Sequence, residues 1–258
     1  MRLMKRILSA AAVLALSASL LVGCSSGTAS SVPVSASSAA ESTVSSVEET
    51  ASSAVDENEA ADAQLLNDLT GSYQELWPVI LADEYKQTWL DDCTALVGED
   101  NAEAAFEKLS SMVTGDVYGE DAVKAYANGG GAYFCGFTNS LAILTFDGET
   151  STISGTDKDG NVLFSHTYHY IGMEPVRGLY EFQSDDADSG EFTYFFLAPD
   201  TSAETYHIEF RYGSDAEALS QYDTGEYAYW LASGISTDCD QTMIDNCIEL
   251  FCTENLAG

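Results

Sequence analysis

All aromatic residues of this 258-residue chain (14 Tyr, 11 Phe and 3 Trp) lie beyond residue 70. Large rings dominate the burial energy of a protein interior, so that distribution fixes where a core can form. The first 70 residues are a polar or aliphatic lead-in, and the remainder supplies one globular body of ample size for a core. The chain has 42 acidic residues against 9 Lys and Arg, a formal charge of −33. Three of those nine, Arg2, Lys5 and Arg6, stand at the extreme N-terminus. Nucleic-acid binding needs Lys and Arg to displace counterions from phosphates, so this balance argues against a nucleic-acid partner. It equally opposes electrostatic adhesion to anionic lipid and leaves a cation, a neutral ligand or a basic partner.

The lead-in reads as an address. A basic start precedes an apolar and small run from Ile7 to Val22, and the run ends in Leu21-Val22-Gly23-Cys24. This pattern resembles the signal peptide and lipobox of a bacterial lipoprotein. It implies cleavage after residue 23, lipidation of Cys24, and a protein anchored in the cell membrane on its extracytoplasmic side. Residues 24–63 hold Ser, Ala, Val, Thr and acid without an aromatic, Lys or Arg. Such a segment buries too little apolar surface to offset chain entropy, so a disordered linker is expected. The domain is assigned to residues 64–258.

Within the domain, Leu65, Leu66, Leu69, Tyr73, Leu76, Trp77, Ile80 and Leu81 recur at three- and four-residue spacing, which predicts a helix. Asp68 and Thr70 are its candidate caps, and Pro78 marks a helix start or kink. Helices are also expected over Glu84 to Leu96, Asn101 to Val113, Glu120 to Ala127 and Thr237 to Cys252. After Asn128-Gly-Gly-Gly131 the period changes to two. Ala132 to Phe137, Leu141 to Phe146, Thr150 to Gly155, Val162 to Gly172, Gly178 to Gln183, Glu191 to Leu197 and Thr205 to Tyr212 read as strands. Asp147-Gly148 and Asp159-Gly160 read as hairpin turns. The fold class is therefore α+β, mainly β: an antiparallel barrel with helices before it and one helix after it.

Catalytic signatures are sparse. There is no G-x-S-x-G elbow, phosphate loop or paired C-x-x-C. Asp157-Lys158-Asp159-Gly160-Asn161 lacks the sixth-position Gly and twelfth-position Glu of a calcium loop, and fits a turn. Five cysteines follow Cys24: Cys93, Cys135, Cys239, Cys247 and Cys252. An exported protein can form disulfides among them, but the odd number leaves one unpaired and the pairing is not readable. The three His residues are the candidate ligands. His166 and His169 fall on opposite faces of one expected strand. His207 and Glu209 share a face, either as two ligands of a metal completed from elsewhere or as a hydrogen-bonded His beside a solvated Glu.

Several segments in order resemble the ZinT family. Leu66-Asn-Asp68-Leu-Thr-Gly71-Ser-Tyr73-Gln74-Glu-Leu-Trp77-Pro78 is similar to the family's L-x-D-x-x-G-x-W-Q-S-V-Y-P opening, with Tyr73 for the Trp and Trp77 for the Tyr. Tyr168-His-Tyr170-Ile-Gly172 resembles its Y-x-Y-x-G strand end, and Val176-Arg177-Gly178-Leu-Tyr180-Glu-Phe182 its G-V-R-x-L-F-E strand. Asp186-Ala-Asp188-Ser-Gly190-Glu191-Phe192-Thr-Tyr194 resembles a hairpin of the family's zinc-importer lipoproteins. Tyr206-His207-Ile208 onward resembles H-F-H-I-F-x-G. The resemblance spans residues 64–254. It implies a lipocalin- or calycin-like barrel, non-catalytic extracytoplasmic binding of Zn(2+) or another divalent cation, and a metal-import system as partner. The family holds its metal with three His, one in S-D-H and two in H-x-H. Here His207 matches the second His of H-x-H, Thr205 replaces the first, and the S-D-H segment is missing. A retained site would have to recruit carboxylates such as Glu209, Glu204 or Asp200, which shifts preference toward oxygen-loving ions. The alternative is a metal-free calycin-like module that binds a small apolar ligand or a partner protein.

Overall fold

The computed structural model describes residues 64–198 and 207–257. The expected signal peptide, Cys24 and the linker lie outside these residues, as do Asp200, Glu204 and Thr205. Eight strands form a closed barrel in which each pairs antiparallel with its sequence neighbour and the first pairs with the last. They are β1 (Gly71–Glu75), β2 (Ile143–Asp147), β3 (Thr152–Thr156), β4 (Val162–Met173), β5 (Tyr180–Ser184), β6 (Tyr194–Leu197), β7 (His207–Gly213) and β8 (Ala232–Ser236). Closure satisfies every strand edge, as in other up-and-down barrels. The helices are α1 (Leu76–Ile80), α2 (Lys86–Val97), α3 (Glu99–Val113), α4 (Glu120–Ala127), α5 (Ala216–Leu219) and α6 (Gln241–Leu256). No helix of the described residues is long and apolar enough to cross a membrane. The expected α+β barrel class is thus observed.

The N-terminal region departs from the expected long helix. Residues 64–68 make a single helical turn, and the chain then extends as β1 before re-entering a helix at Leu76. Gly71, at φ +145°, opens a strand where the apolar spacing alone favours a helix. Tertiary pairing overrides that spacing: Ser72 and Tyr73 pair with Thr145 and Leu144 on one side, and Gln74 and Glu75 pair with Ile235 and Gly234 on the other. Asp68 and Thr70 therefore do not cap a helix start. The Asp68 carboxylate accepts from Gln64 Nε2, and Thr70 Oγ1 donates to the Leu66 carbonyl.

A second correction concerns Ala132 to Phe137, which is not a strand. Phe134 makes only isolated bridges to Thr114 and Trp230. β8, Ala232-Ser-Gly-Ile-Ser, takes the position that closes the barrel. The remaining strands and helices fall within a few residues of their expected places. The 157–161 segment is a turn: the Asp157 carboxylate accepts from the Asp159 and Asn161 backbone amides and from Asn161 Nδ2. These hydrogen bonds hold Asp157 below its usual carboxylate range.

The barrel interior is filled by rings. Phe146, Phe182, Phe195, Phe210, Tyr168, Tyr212 and Trp230 are essentially inaccessible. Their centroids interleave, with Phe195–Tyr212 at 5.3 Å, Tyr168–Phe195 at 5.4 Å and Tyr212–Trp230 at 5.0 Å. Offset and edge-on arrangements of this kind add about 1 kcal/mol per pair beyond area burial. Gly155 faces Phe164, whose Cε1 would lie 2.4 Å from an added Cβ, so the ring occupies the volume that a side chain there would need. A second core lies outside the barrel, where α1, α2, α3 and α6 pack through Trp77, Ile80, Trp89, Leu109, Ile244 and Ile248 against Ile235 of β8. Asp240 caps α6 by accepting from the Met243 amide at 3.0 Å, a contact whose loss typically costs about 1 kcal/mol.

Candidate functional site

His207 opens β7, paired with Ile235, and Glu209 is paired with Ser233. Ile208, Phe210 and Tyr212 belong to the barrel interior. Strand alternation therefore turns His207, Glu209 and Arg211 to the outer face of the barrel. His207 and Glu209 are half-buried there. The expectation that they share a face is met. Which face they share was not readable from sequence, because β7 is buried on both sides.

The Glu209 charge reaches two thiols. Burial first, then Glu209, pushes Cys135 up to about 12. Burial, then Cys239 and Glu209, pushes Cys247 up to about 12. Without a metal, both stay in the neutral thiol form near neutral pH. Among the described residues, no three His, Cys, Asp or Glu side chains converge as a metal-binding group.

The other two His residues do not join His207. His166 and His169 lie on opposite faces of β4, as their spacing requires, yet both reach the same acidic turn. His166 Nδ1 is 2.9 Å from Asp186 Oδ2, and His169 Nδ1 is 2.7 Å from Asp185 Oδ1. His169 is level with Gln183, Tyr194 and Gly213 across successive strands. His207 starts the same strand that ends at Gly213, so the two positions differ by roughly 20 Å along the strand direction. One ion cannot bridge that interval.

A buried polar cluster lies around residues that no catalytic or metal-binding motif marks. Glu174 is 1% exposed. Its carboxylate accepts from the Val176 amide at 2.7 Å, the Arg177 amide at 2.5 Å and the Tyr222 hydroxyl at 3.1 Å. Arg177 Nη2 donates to the Tyr133 hydroxyl at 2.8 Å. Arg211 is fully buried and donates to the backbone carbonyls of Leu219, Gln221 and Tyr227. Burial lowers Arg211 and raises Tyr222, and Glu174 raises Tyr222 further. The cluster clips the 219–227 segment to the barrel wall. One sequence signal could have located it: beyond Arg2 and Arg6, the chain's only arginines are Arg177 and Arg211.

Outside the barrel, a cleft of about 310 Å³ lies among Glu75, Trp77, Pro78, Leu81, Phe134 and Cys135. Its single acid, Glu75, is engaged by the Phe137 amide, which donates to Oε1 at 2.6 Å. Apolar walls dominate it.

No family model matches the chain. No curated protein matches it either. Among solved structures, it is similar to the Zn(II)-bound ZinT-like domain of Streptococcus pneumoniae AdcA, with 16% identity and a TM-score of 0.45, over 72% of this chain and 89% of that one. It is also similar to Zn(II)-bound AdcA from Streptococcus pneumoniae, with 14% identity and a TM-score of 0.42, over 73% of this chain and 35% of that one. The chain thus spans about a third of the full AdcA chain.

Proposed function

We propose that this protein is a non-catalytic, extracytoplasmic metal-binding domain, held to the membrane by lipid on Cys24, that takes a divalent cation, nominally zinc, for delivery to an import system. The observation that carries this reading is the placement of His207. It stands at the head of a strand in a closed antiparallel barrel, the architecture implied by the ordered ZinT-like segments, with Glu209 beside it on the same face. One imidazole and one carboxylate make a weak site, since micromolar affinity requires about 8 kcal/mol. Asp200 and Glu204, close in sequence, would complete it as a harder donor set. That set favours manganese or calcium more than an all-His site does. The acidity of the chain favours cation approach.

Metal analysis of the purified full chain, with zinc, manganese and calcium titrations of wild type and His207→Ala, tests the proposal. A stoichiometric metal whose affinity falls at least tenfold in the variant supports it. Identical isotherms would sink it. The second reading is a metal-free module that docks a partner protein. A small apolar ligand inside the barrel is disfavoured by the rings that fill it.

A further inference from the structure

The structure brings together two thiols that lie far apart in sequence. Cys93 of α2 and Cys252 of α6 face each other with their sulfurs 3.9 Å apart, across a separation of 159 residues. Both are fully inaccessible, in a core built from α1, α2, α3 and α6. Cys135, Cys239 and Cys247 complete the set of thiols in the described residues. A bond between sulfurs is about 2.05 Å, so closure asks the two sulfurs to approach by about 2 Å.

We propose that Cys93 and Cys252 are joined by a disulfide in the exported protein, stapling the last helix to the N-terminal helical layer. The proposal rests on the extracytoplasmic reading above, because disulfides persist in oxidising compartments. The oxidant is an external disulfide, either a low-molecular-weight one or that of a dithiol oxidoreductase. One cysteine thiolate attacks it, forming a mixed disulfide and releasing one thiolate. The second cysteine sulfur then attacks the mixed disulfide and expels the other thiolate. The protons of Cys93 and Cys252 end on the two released thiols, so one disulfide is exchanged for another. Burial raises both thiols in the folded chain, with Asp92 adding to the effect. Attack is therefore slow once α6 has docked. The bond forms while α6 is still arriving and is shielded from reductants afterwards.

The test uses the full chain in intact cells, labelled with a membrane-impermeant amine reagent to report export. It is then denatured without reductant, alkylated with N-ethylmaleimide and mapped by mass spectrometry. The expected result is a labelled chain with Cys93 and Cys252 unalkylated and their peptides linked, the linked pair about 2 Da lighter than the two reduced peptides. A labelled chain with both residues alkylated, or with Cys252 linked elsewhere, overturns the pairing. An unlabelled chain overturns the location. The pairing is then decided by refolding the chain with oxidised glutathione, where linked peptides support it and two alkylated cysteines overturn it.

Discussion

Arg177 and Arg211 share one aromatic ring: each guanidinium carbon lies 4.3 Å from the centroid of Tyr222. Two like charges around a single ring repel, and Arg177 adds to the burial that lowers Arg211. The pair is held because Glu174 sits in the same cluster and takes the Tyr222 hydroxyl, while Arg211 Nη1 and Nη2 donate to carbonyls of the segment it fixes.

The first prediction follows from that arrangement. Arg211→Met keeps bulk but strips three carbonyls of their donor, and buried charge-assisted hydrogen bonds are worth about 1.5–3 kcal/mol each when one partner is removed. The expected loss is about 3 kcal/mol or more in urea unfolding. Tyr222→Phe keeps the ring and all three carbonyl bonds of Arg211 while removing the hydroxyl that bonds Glu174, and should cost about 1 kcal/mol. Equal losses in the two variants would contradict the assigned roles.

Tyr212 provides the second. Its hydroxyl, inside the barrel, accepts from the Thr138 amide at 2.6 Å and donates to the Thr138 carbonyl at 2.9 Å. It thereby anchors the bend in which Asn139 and Ser140 adopt φ of 53° and 62°. Tyr212→Phe orphans a buried amide, and a loss of about 1–3 kcal/mol is expected. Amide exchange at Thr138 should accelerate by more than exchange in β4. Unchanged protection at Thr138 would argue against the anchor.

The third concerns pH. Asp92 is raised above its ordinary value by burial first and then by the charges of Glu249, Asp245 and Asp91. An acid whose folded pKa is raised binds its proton more tightly when folded, so its ionisation weakens the fold as pH climbs through that raised value. Asp92→Asn should therefore unfold at higher denaturant than wild type near pH 7. The gap should close as pH falls below the ordinary aspartate range, where both states of Asp92 are protonated. Denaturant midpoints of the two proteins across pH 3 to 8, a span set around the ordinary aspartate value of about 3.9, measure it. A gap that widens in acid would reverse the sign.

The strands that were legible in sequence carry β-branched and aromatic residues in alternation, as in Val162–Met173 and His207–Gly213. β1 and β8 were not legible. Tyr73 sits in a run with helical apolar spacing, and Ala232-Ser-Gly-Ile-Ser offers one large apolar side chain. Both become strands because neighbours on each side supply pairing partners, which no local pattern encodes. At the site, period-two alternation was enough to put His207 and Glu209 on one face and to separate His166 from His169. The convergence of the latter two on Asp185 and Asp186 depends on the register between β4 and β5. The Glu174, Arg177, Arg211 and Tyr222 cluster depends on loop packing. Neither has a sequence period to announce it.

The barrel closes through its first strand, and β1 is also the strand that follows the proposed lipid tether soonest in sequence. In a tethered protein, tension from the membrane would enter the body ahead of Gly71 and be passed to the seam with β2 and β8. Buried Leu66 and Leu69, the Thr70 hydroxyl accepting from the Gly148 amide, and the Tyr73 hydroxyl donating to the Leu69 carbonyl stand between that load and the seam. The lead-in turn would then act as a strain relief: in a chain so tethered, a pull would have to extract two leucines before the cylinder could open.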